Sequence, residues 1–364
     1  MLIFLLSFLD KWAVYSSWLF IPILAKEMGA NLFQVGLVSF FFGLGGCISY
    51  YLFGRLSDVL GRRKEFISAG FFLSSLIILL HLNIPSLNYL IFLRFLAGFM
   101  MGIYSFPLIV LASLSGRRER RVSLVNAFAS LGTFLGWLWA GICRRYSLIF
   151  ISSAILFFLN SLFSLSLKEK KGKRIHIPLL PKELIRKNRW IYLPFLLRHT
   201  GASAIWAILP VFLVSLGGSK IHVSTIYALN PLVQFSMILL LLPWIERISS
   251  LKIFTTGLFL SSLSFILYSS IPDYRWAYLV SVIVGVSWAT LYTGALLYLV
   301  SKNVERGTAT GLLGSAFSVA MMVGPFIGGT LSHLFSMRIS ILFSGILSLT
   351  SWGTFLIFGR KFKV

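Results

Sequence analysis

Acid is what this chain lacks most. Only ten of its 364 residues are Asp or Glu, five are His and two are Cys, and charged residues of both signs make up 12%. Each scarcity excludes a class of protein. Cys47 and Cys143 stand far apart in apolar surroundings without neighbouring His or acid, so neither a disulfide framework nor a thiolate metal site is expected. His81, His176, His222 and His333 are scattered, and no acidic pair sits deep in an apolar run. The constellations of a membrane-embedded hydrolase, metalloenzyme or glycosidase are therefore missing, and neither a cofactor nor a metal is expected. Long polar stretches are scarce too. The one candidate linker runs from Lys168 to Arg189, which leaves no room for a sizeable soluble domain.

What fills the chain is apolar. Hydrophobic residues make up 57% and the mean hydropathy is +0.89, far outside the range of a soluble domain. At about 20 residues per crossing, the length allows about twelve spans with short loops. The hydropathy places them near 1–25, 35–55, 65–84, 87–114, 123–143, 146–167, 191–217, 222–245, 252–271, 275–300, 308–334 and 338–358. The segment from Met1 to Leu9 has no basic n-region and runs through Asp10 into a full span, so it is read as the first helix, not a signal peptide. The expectation is an all-α polytopic membrane protein of twelve transmembrane helices in two pseudo-symmetric six-helix bundles.

The net charge of +23 raises the question of nucleic acid, but topology accounts for it. With the N-terminus inside, one set of loops holds Arg55, Arg62, Arg63, Lys64, Arg117, Arg118, Arg120, Arg121, the run from Lys168 to Arg189, Arg247, Lys252, Lys302, Arg306, Arg360, Lys361 and Lys363. The other set holds only Lys26, Arg144, Arg145, Lys220, Arg275 and Arg338. This asymmetry predicts both termini in the cytoplasm and no nucleic-acid partner. Lys11, Arg94 and Arg198 fall inside spans, where an ionisable group is costly and usually functional.

The linker predicts an N-terminal bundle over 1–167, a basic cytoplasmic linker over 168–190 and a C-terminal bundle over 191–364. A constant offset of 188 residues superposes the two halves without gaps. Leu9, Trp18, Pro22 and Gly29 fall on Leu197, Trp206, Pro210 and Gly217. Asp58 falls on Glu246 and Lys64 on Lys252, while Ser130, Gly136 and Gly141 fall on Ser318, Gly324 and Gly329. Leu matches by chance in apolar sequence, but Trp, Pro and charged pairs at one offset indicate duplication.

The first loop of the basic set reads Gly54-Arg55-Leu56-Ser57-Asp58-Val59-Leu60-Gly61-Arg62-Arg63-Lys64 and resembles the loop signature of the major facilitator superfamily almost position for position. Arg94-Phe95-Leu96-Ala97-Gly98-Phe99-Met100-Met101-Gly102 is similar to the superfamily's Arg-x-x-x-Gly element, and Gly324-Pro325-Phe326-Ile327-Gly328-Gly329 carries its Gly-Pro-x-x-Gly-Gly pattern. In exporters of the superfamily that pattern usually lies in the fifth span. Here the place reads Gly136-Trp137-Leu138-Trp139-Ala140-Gly141 without the proline, which counts against export.

A bare basic loop needs no Asp, and the eleventh span opens on small residues, Arg306-Gly307-Thr308-Ala309, that leave a partly positive helix N-terminus open to an anion. The resemblance implies that Asp58, in the turn with Gly61 and Arg62, docks there and closes the cytoplasmic side. By pseudo-symmetry Glu246 approaches the start of the fifth span near Ser123. Singly, Arg62, Arg63 and Lys64 read equally well as anchors to anionic lipid. Gly98 and Gly102 need only a packing role, and Gly324, Pro325, Gly328 and Gly329 read as a bending or packing element.

Asp10 is the acid deepest in a span, roughly 14 Å from the helix end, and its duplicate position is Arg198. Facing helices in the superfamily make the two an interdomain pair or a substrate clamp; the alternative is that Asp10 lies nearer the interface and Arg198 snorkels out. In the first case Asp10 alternates between holding a proton and pairing with Arg198 or Lys11. Arg94 sits about 13 Å shallower, and His199 reads either as a titrating neighbour of Arg198 or as a hydrogen-bonded packing residue. Asn126, Ser130, Thr133 and Trp137 in the fifth span, and Tyr227, Asn230 and Gln234 in the eighth, form polar stripes at helical spacing that line a cavity or hold helices together. Trp18, Trp206, Trp288 and Tyr292 supply aromatic walls or interface anchors. The basic excess at depth fits an anionic or neutral organic solute.

The resulting expectation is a secondary active transporter of a small organic solute in the cytoplasmic membrane of a prokaryote, proton-coupled and working by alternating access, with efflux and uptake both open. A transport-inactive receptor or scaffold on the same fold is the alternative, and a polytopic membrane enzyme is disfavoured.

Overall fold

In lipid every backbone N–H and C=O must find its partner within the protein, and a chain this apolar has only helices with which to do it. The computed structural model describes residues 1–18, 21–30, 32–114, 116–143, 145–169 and 176–359, and its regular structure is thirteen helices. They are α1 (Leu2–Trp18), α2 (Ile21–Glu27), α3 (Leu32–Leu60), α4 (Lys64–Leu80), α5 (Leu87–Ser113), α6 (Arg118–Ile142), α7 (Tyr146–Ser164), α8 (Lys182–Ser215), α9 (Lys220–Leu241), α10 (Ser250–Ser270), α11 (Trp276–Lys302), α12 (Arg306–Leu334) and α13 (Met337–Phe358). Eleven segments are long and apolar enough to cross a membrane, α1 and α2 counting as one. The remaining helix, α4, has 17 residues, about 26 Å of rise, which is at the short end of a crossing. The chain is a multi-pass membrane protein of twelve spans. Arg144, the run from Lys170 to Arg174, and Arg360, Lys361 and Lys363, all part of the charge asymmetry, lie outside the described residues.

Large apolar side chains such as Phe92, Ile142, Leu148 and Val211 are exposed, as lipid-facing surfaces require. Prolines 107, 194, 210, 231 and 325 sit within helices, a tolerance typical of membrane helices. Many buried hydroxyls turn back on their own helix: Ser16 donates to Trp12 O at 2.6 Å and Ser262 to Leu258 O at 2.9 Å. Many small polar residues are thereby buried with their hydroxyl protons bonded.

The chain forms two compact units. The first comprises Met1–Pro181 with Lys302–Ser318, the second Lys182–Ser301 with Val319–Val364. In the first, α3 packs on α5, α1 on α6, and α4 on α7; in the second, α13 packs on both α8 and α10. The apolar centre of the second unit includes Ala202, Leu209, Phe212, Phe265 and Tyr268. Two boundaries differ from the sequence reading. Residues 182–190, read as linker, are the first turns of α8, where Glu183 favours the helix start and Leu184, Asn188 and Ile191 are buried at helical spacing. The segment Lys302–Ser318, read as part of the C-terminal bundle, packs with the first unit.

The 188-residue offset holds for backbone as well as sequence. Gly29 has φ +87° and Gly217 φ +88°, a left-handed conformation open to glycine. Around Gly29, its N–H donates to Lys26 O and Ala30 N–H to Ala25 O; around Gly217, its N–H donates to Val214 O and Gly218 N–H to Leu213 O. All four pairs obey the offset, giving the same two-bond helix termination twice. The packing repeats as well. A Cβ at Gly136 would come within 2.8 Å of Trp12 O, and one at Gly324 within 2.6 Å of Thr200 O, the duplicate of position 12.

Candidate functional site

Asp58 does not lie in the turn. Helix α3 runs on to Leu60, so Asp58 occupies its last turn, and the reversal is made by Gly61 at φ +65°, with α4 starting at Lys64. Asp58 is completely buried. Its Oδ2 accepts the Thr308 N–H at 2.8 Å and the Thr308 hydroxyl at 3.0 Å, and its Oδ1 faces the Arg63 guanidinium at 3.3 Å. Thr308 is in the first turn of α12, whose unpaired N–H groups and dipole favour an anion. Gly307 makes the approach possible, since a Cβ there would come within 3.0 Å of Asp58 Oδ1 and overlap Gly54 O. Arg306 Nη1 donates to Ser113 O at 3.2 Å and Ser315 donates to Cys47 O at 2.6 Å, extending the same seam within the first unit.

The cation beside Asp58 is Arg63, not Arg62. Arg63 is 5% exposed and reaches Glu169 Oε1 at 3.7 Å as well as Asp58, whereas Arg62 points outward and pairs with Glu65 at 3.5 Å, the two side chains 47% and 62% exposed. Glu169, which the sequence reading left in a linker charge run, also accepts the Arg63 N–H at 2.9 Å and the Lys64 N–H at 2.8 Å, capping α4 from 105 residues away. Pairs as exposed as Arg62–Glu65 are worth about 0–1 kcal/mol. Arg62→Ala is therefore expected to melt within a degree or so of wild type, and Arg63→Ala to melt well below it, in a thermal-shift comparison of the detergent-solubilised proteins.

Helix α9 stops at Leu241, and Glu246 lies exposed in the following turns with no hydrogen bond or ion pair among the described residues. Pro243 interrupts the segment where the duplicate position is Arg55 within α3. The place of Gly307 in α12 is taken in α6 by Glu119, an acid in the first turn.

Asp10, on α1, is 2% exposed. Its Oδ2 is 2.9 Å from Lys11 Nζ, and its Oδ1 accepts the Tyr104 hydroxyl of α5 at 2.8 Å. Lys11 keeps 23% of its side chain exposed. Tyr104 was not singled out from the sequence.

Arg198, on α8, is also 2% exposed, and its partners lie within its own unit. Nε donates to Ser261 Oγ at 2.7 Å, Nη1 stands 3.3 Å from His199 Nδ1, and the guanidinium lies 5.2 Å and 5.3 Å from the ring centres of Phe265 and Trp288. Trp288 stacks on Tyr292 with centroids 5.1 Å apart, and Phe195 on His199 at 5.7 Å. None of the described groups around Arg198 is acidic; the cation is held by rings and a hydroxyl. Snorkelling does not occur. Arg94 is buried at 2% exposure with its guanidinium carbon 4.4 Å from the centre of the Phe42 ring.

The polar stripes bond largely along their own helices. Ser130 donates to Asn126 O at 3.1 Å and Thr133 to Ala129 O at 3.0 Å, while Gln234 donates to Asn230 Oδ1 at 2.6 Å. Tyr227 donates to Trp206 O at 3.1 Å and packs edge-on against that indole. In α12, Gly324 and Gly328 lie against the α8 backbone at Thr200–Ala204, Gly329 faces open space, and the helix continues through Pro325. Close packing, not a break, is what this motif provides here.

Twelve spans built on a doubled packing plan, with charged groups buried at their centres, define a polytopic protein of transporter fold. The chain matches the family model of the Major Facilitator Superfamily over residues 2–305 and 196–363, and it belongs to that superfamily. Among solved structures it resembles the human organic anion transporter MFSD10 (TETRAN), with a TM-score of 0.78, 14% identity and 97% of each chain covered. It also resembles the Escherichia coli fucose:proton symporter FucP, with a TM-score of 0.75, 15% identity, and coverage of 99% of this chain and 98% of that one. No curated protein sequence matches the chain.

Proposed function

We propose that this superfamily member is a proton-coupled secondary transporter of a small anionic or neutral organic solute, cycling by alternating access in the cytoplasmic membrane of a prokaryote, with both termini in the cytoplasm. The observation that carries the reading is the buried Lys11–Asp10–Tyr104 cluster. In this reading the enclosed Asp10 carboxyl group, which has Lys11 against Oδ2, exchanges that ammonium for a proton during the cycle. Tyr104 donates to Oδ1, the role proposed for it being to keep the carboxyl group positioned while the other oxygen exchanges partners. Arg198, a buried cation without an acid and walled by Trp288, is the group proposed to hold the solute's anionic or hydrogen-bonding end, and the stacked Trp288–Tyr292 pair its flat face. The named activities of the two structural neighbours, organic anion transport and fucose:proton symport, are consistent with that chemistry. The Asp58 clasp on α12 is proposed as the gate that makes and breaks during the cycle.

The test is flux in proteoliposomes under an imposed pH gradient, across a panel of anionic, neutral and cationic solutes. Asp10→Asn is expected to abolish gradient-driven accumulation while solute exchange at zero gradient continues. Accumulation by the variant equal to wild type would remove Asp10 from coupling. Absence of flux for every solute, in folded and correctly oriented protein, would favour a receptor or scaffold.

A further inference from the structure

Arg94 poses a charge problem that the transport reading leaves unsolved. Its guanidinium is buried against Phe42, and it makes no hydrogen bond or ion pair with any described residue. The nearby charges cancel without it: Asp10 is neutralised by Lys11. The interior of α1, α4 and α5 therefore carries one uncompensated positive charge, at a cost that buried ions normally avoid by pairing. The guanidinium nevertheless has space beside it, for Arg94 lines a cavity of about 20 Å³ with Ser17, Phe42, Ser74, Met101 and Tyr104. That is space for one atom-sized occupant, since a water needs about 10–15 Å³ on the same measure.

The lining says what the occupant is. Ser17 gives its hydroxyl proton to the Ala13 and Val14 carbonyls, and Tyr104 gives its proton to Asp10. With those hydroxyl protons committed, the Arg94 N–H groups and the Ser74 hydroxyl are the donors left to the cavity. Val14, Ile78 and Ala97 make the rest of the wall apolar. A site with a cationic fork on one side and hydrocarbon on the other suits an anion with little demand for further donors, and the volume excludes a carboxylate-bearing organic solute. We propose that this cavity binds a single halide-sized inorganic anion, chloride under ordinary conditions, with Arg94 as its ligand and the neutralisation of Arg94 as its structural role. The inference does not depend on Asp10 being the coupling site.

Thermal unfolding of the full chain in detergent, in sodium chloride and sodium gluconate at matched ionic strength, tests it. Wild type is expected to gain several degrees, saturably, in chloride and in bromide but not in gluconate. Arg94→Met and the cavity-filling Ala97→Leu are both expected to lose that response. Equal melting of wild type in chloride and gluconate, or a chloride response undiminished in both variants, overturns the proposal. Should the variants fail to fold, anomalous scattering from wild-type crystals grown in bromide decides. A bromine peak beside the Arg94 guanidinium supports the site, and an ordered water without anomalous signal refutes it.

Discussion

Asp58→Asn is expected to stop solute flux and to lower the melting temperature by more than any other single removal of charge in the first unit. The carboxylate is fully buried, it takes the backbone and hydroxyl protons of Thr308, and it balances Arg63. The amide keeps the shape but presents its own N–H groups to donors, and it leaves Arg63 with the more distant Glu169. Breaking a buried pair in this way costs roughly 3–5 kcal/mol. Any state of the cycle in which α12 begins on Asp58 would lose population on the order of a hundredfold or more relative to states without that contact. Initial rates in proteoliposomes and a melting curve in detergent measure the two effects separately. Glu246→Gln is the internal control: the duplicate acid is exposed without a partner among the described residues, so both measurements should match wild type. An Asp58→Asn protein that transports normally would remove the gate reading and leave the clasp as packing.

Gly98→Leu is expected to yield no monodisperse protein. A Cβ at Gly98 would overlap the Phe42 carbonyl oxygen, and one at Gly102 the Ser49 side chain and backbone, while Gly45 on the facing helix meets Phe95 O in the same way. The obstacle at Gly98 is backbone, so no rotamer relieves it; α3 and α5 would have to separate along their length. Core overpacking generally costs about 1–3 kcal/mol where side chains give way, and here the yielding element is a whole helix. Size-exclusion profiles of tagged variants after solubilisation show the outcome. Gly141→Ala and Gly329→Ala, with nothing within 4 Å of the added methyl, are expected to run as wild type. A well-folded Gly98→Leu would mean that the α3–α5 crossing is looser than described.

The fold was legible because lipid leaves the backbone few choices: apolar runs of sufficient length became helices, and the offset between halves reappeared in paired glycine turns and paired glycine contacts. The site was legible only in part. An acid in a basic loop and a small-residue helix start identified Asp58 and α12 as chemically matched. Which of two adjacent arginines serves Asp58 depends on the backbone direction after Gly61, which sequence does not carry, and so Arg62 stood where Arg63 belongs. Glu169 lies 105 residues from the N–H groups it caps, inside a run of lysines that reads as solvated charge. The available signal was indirect: α4 begins after Arg63, a residue that makes no side-chain cap, so a partner had to come from elsewhere. Asp10 drew attention to Arg198 by duplication, yet the observed partner is its sequence neighbour. Adjacent residues on a helix diverge by about 100° and are not normally paired, and burial, by removing water as a competitor, makes the exception.

The helical start of α8 gives the membrane surface a grip on the protein. Lys182, Arg186, Lys187 and Arg189 are exposed there, with Glu183 the one acid among them, on turns that extend beyond the length a bilayer core can hold. A leaflet rich in anionic headgroups attracts such residues by about 1 kcal/mol each, within a screening distance of about 8 Å at physiological ionic strength. Helix α8 also carries Arg198 and the Thr200–Ala204 seat for α12. Surface potential and salt concentration are thereby expected to act on the same helix that carries the proposed solute contact, and reconstitutions in neutral and anionic lipid are expected to report different rates.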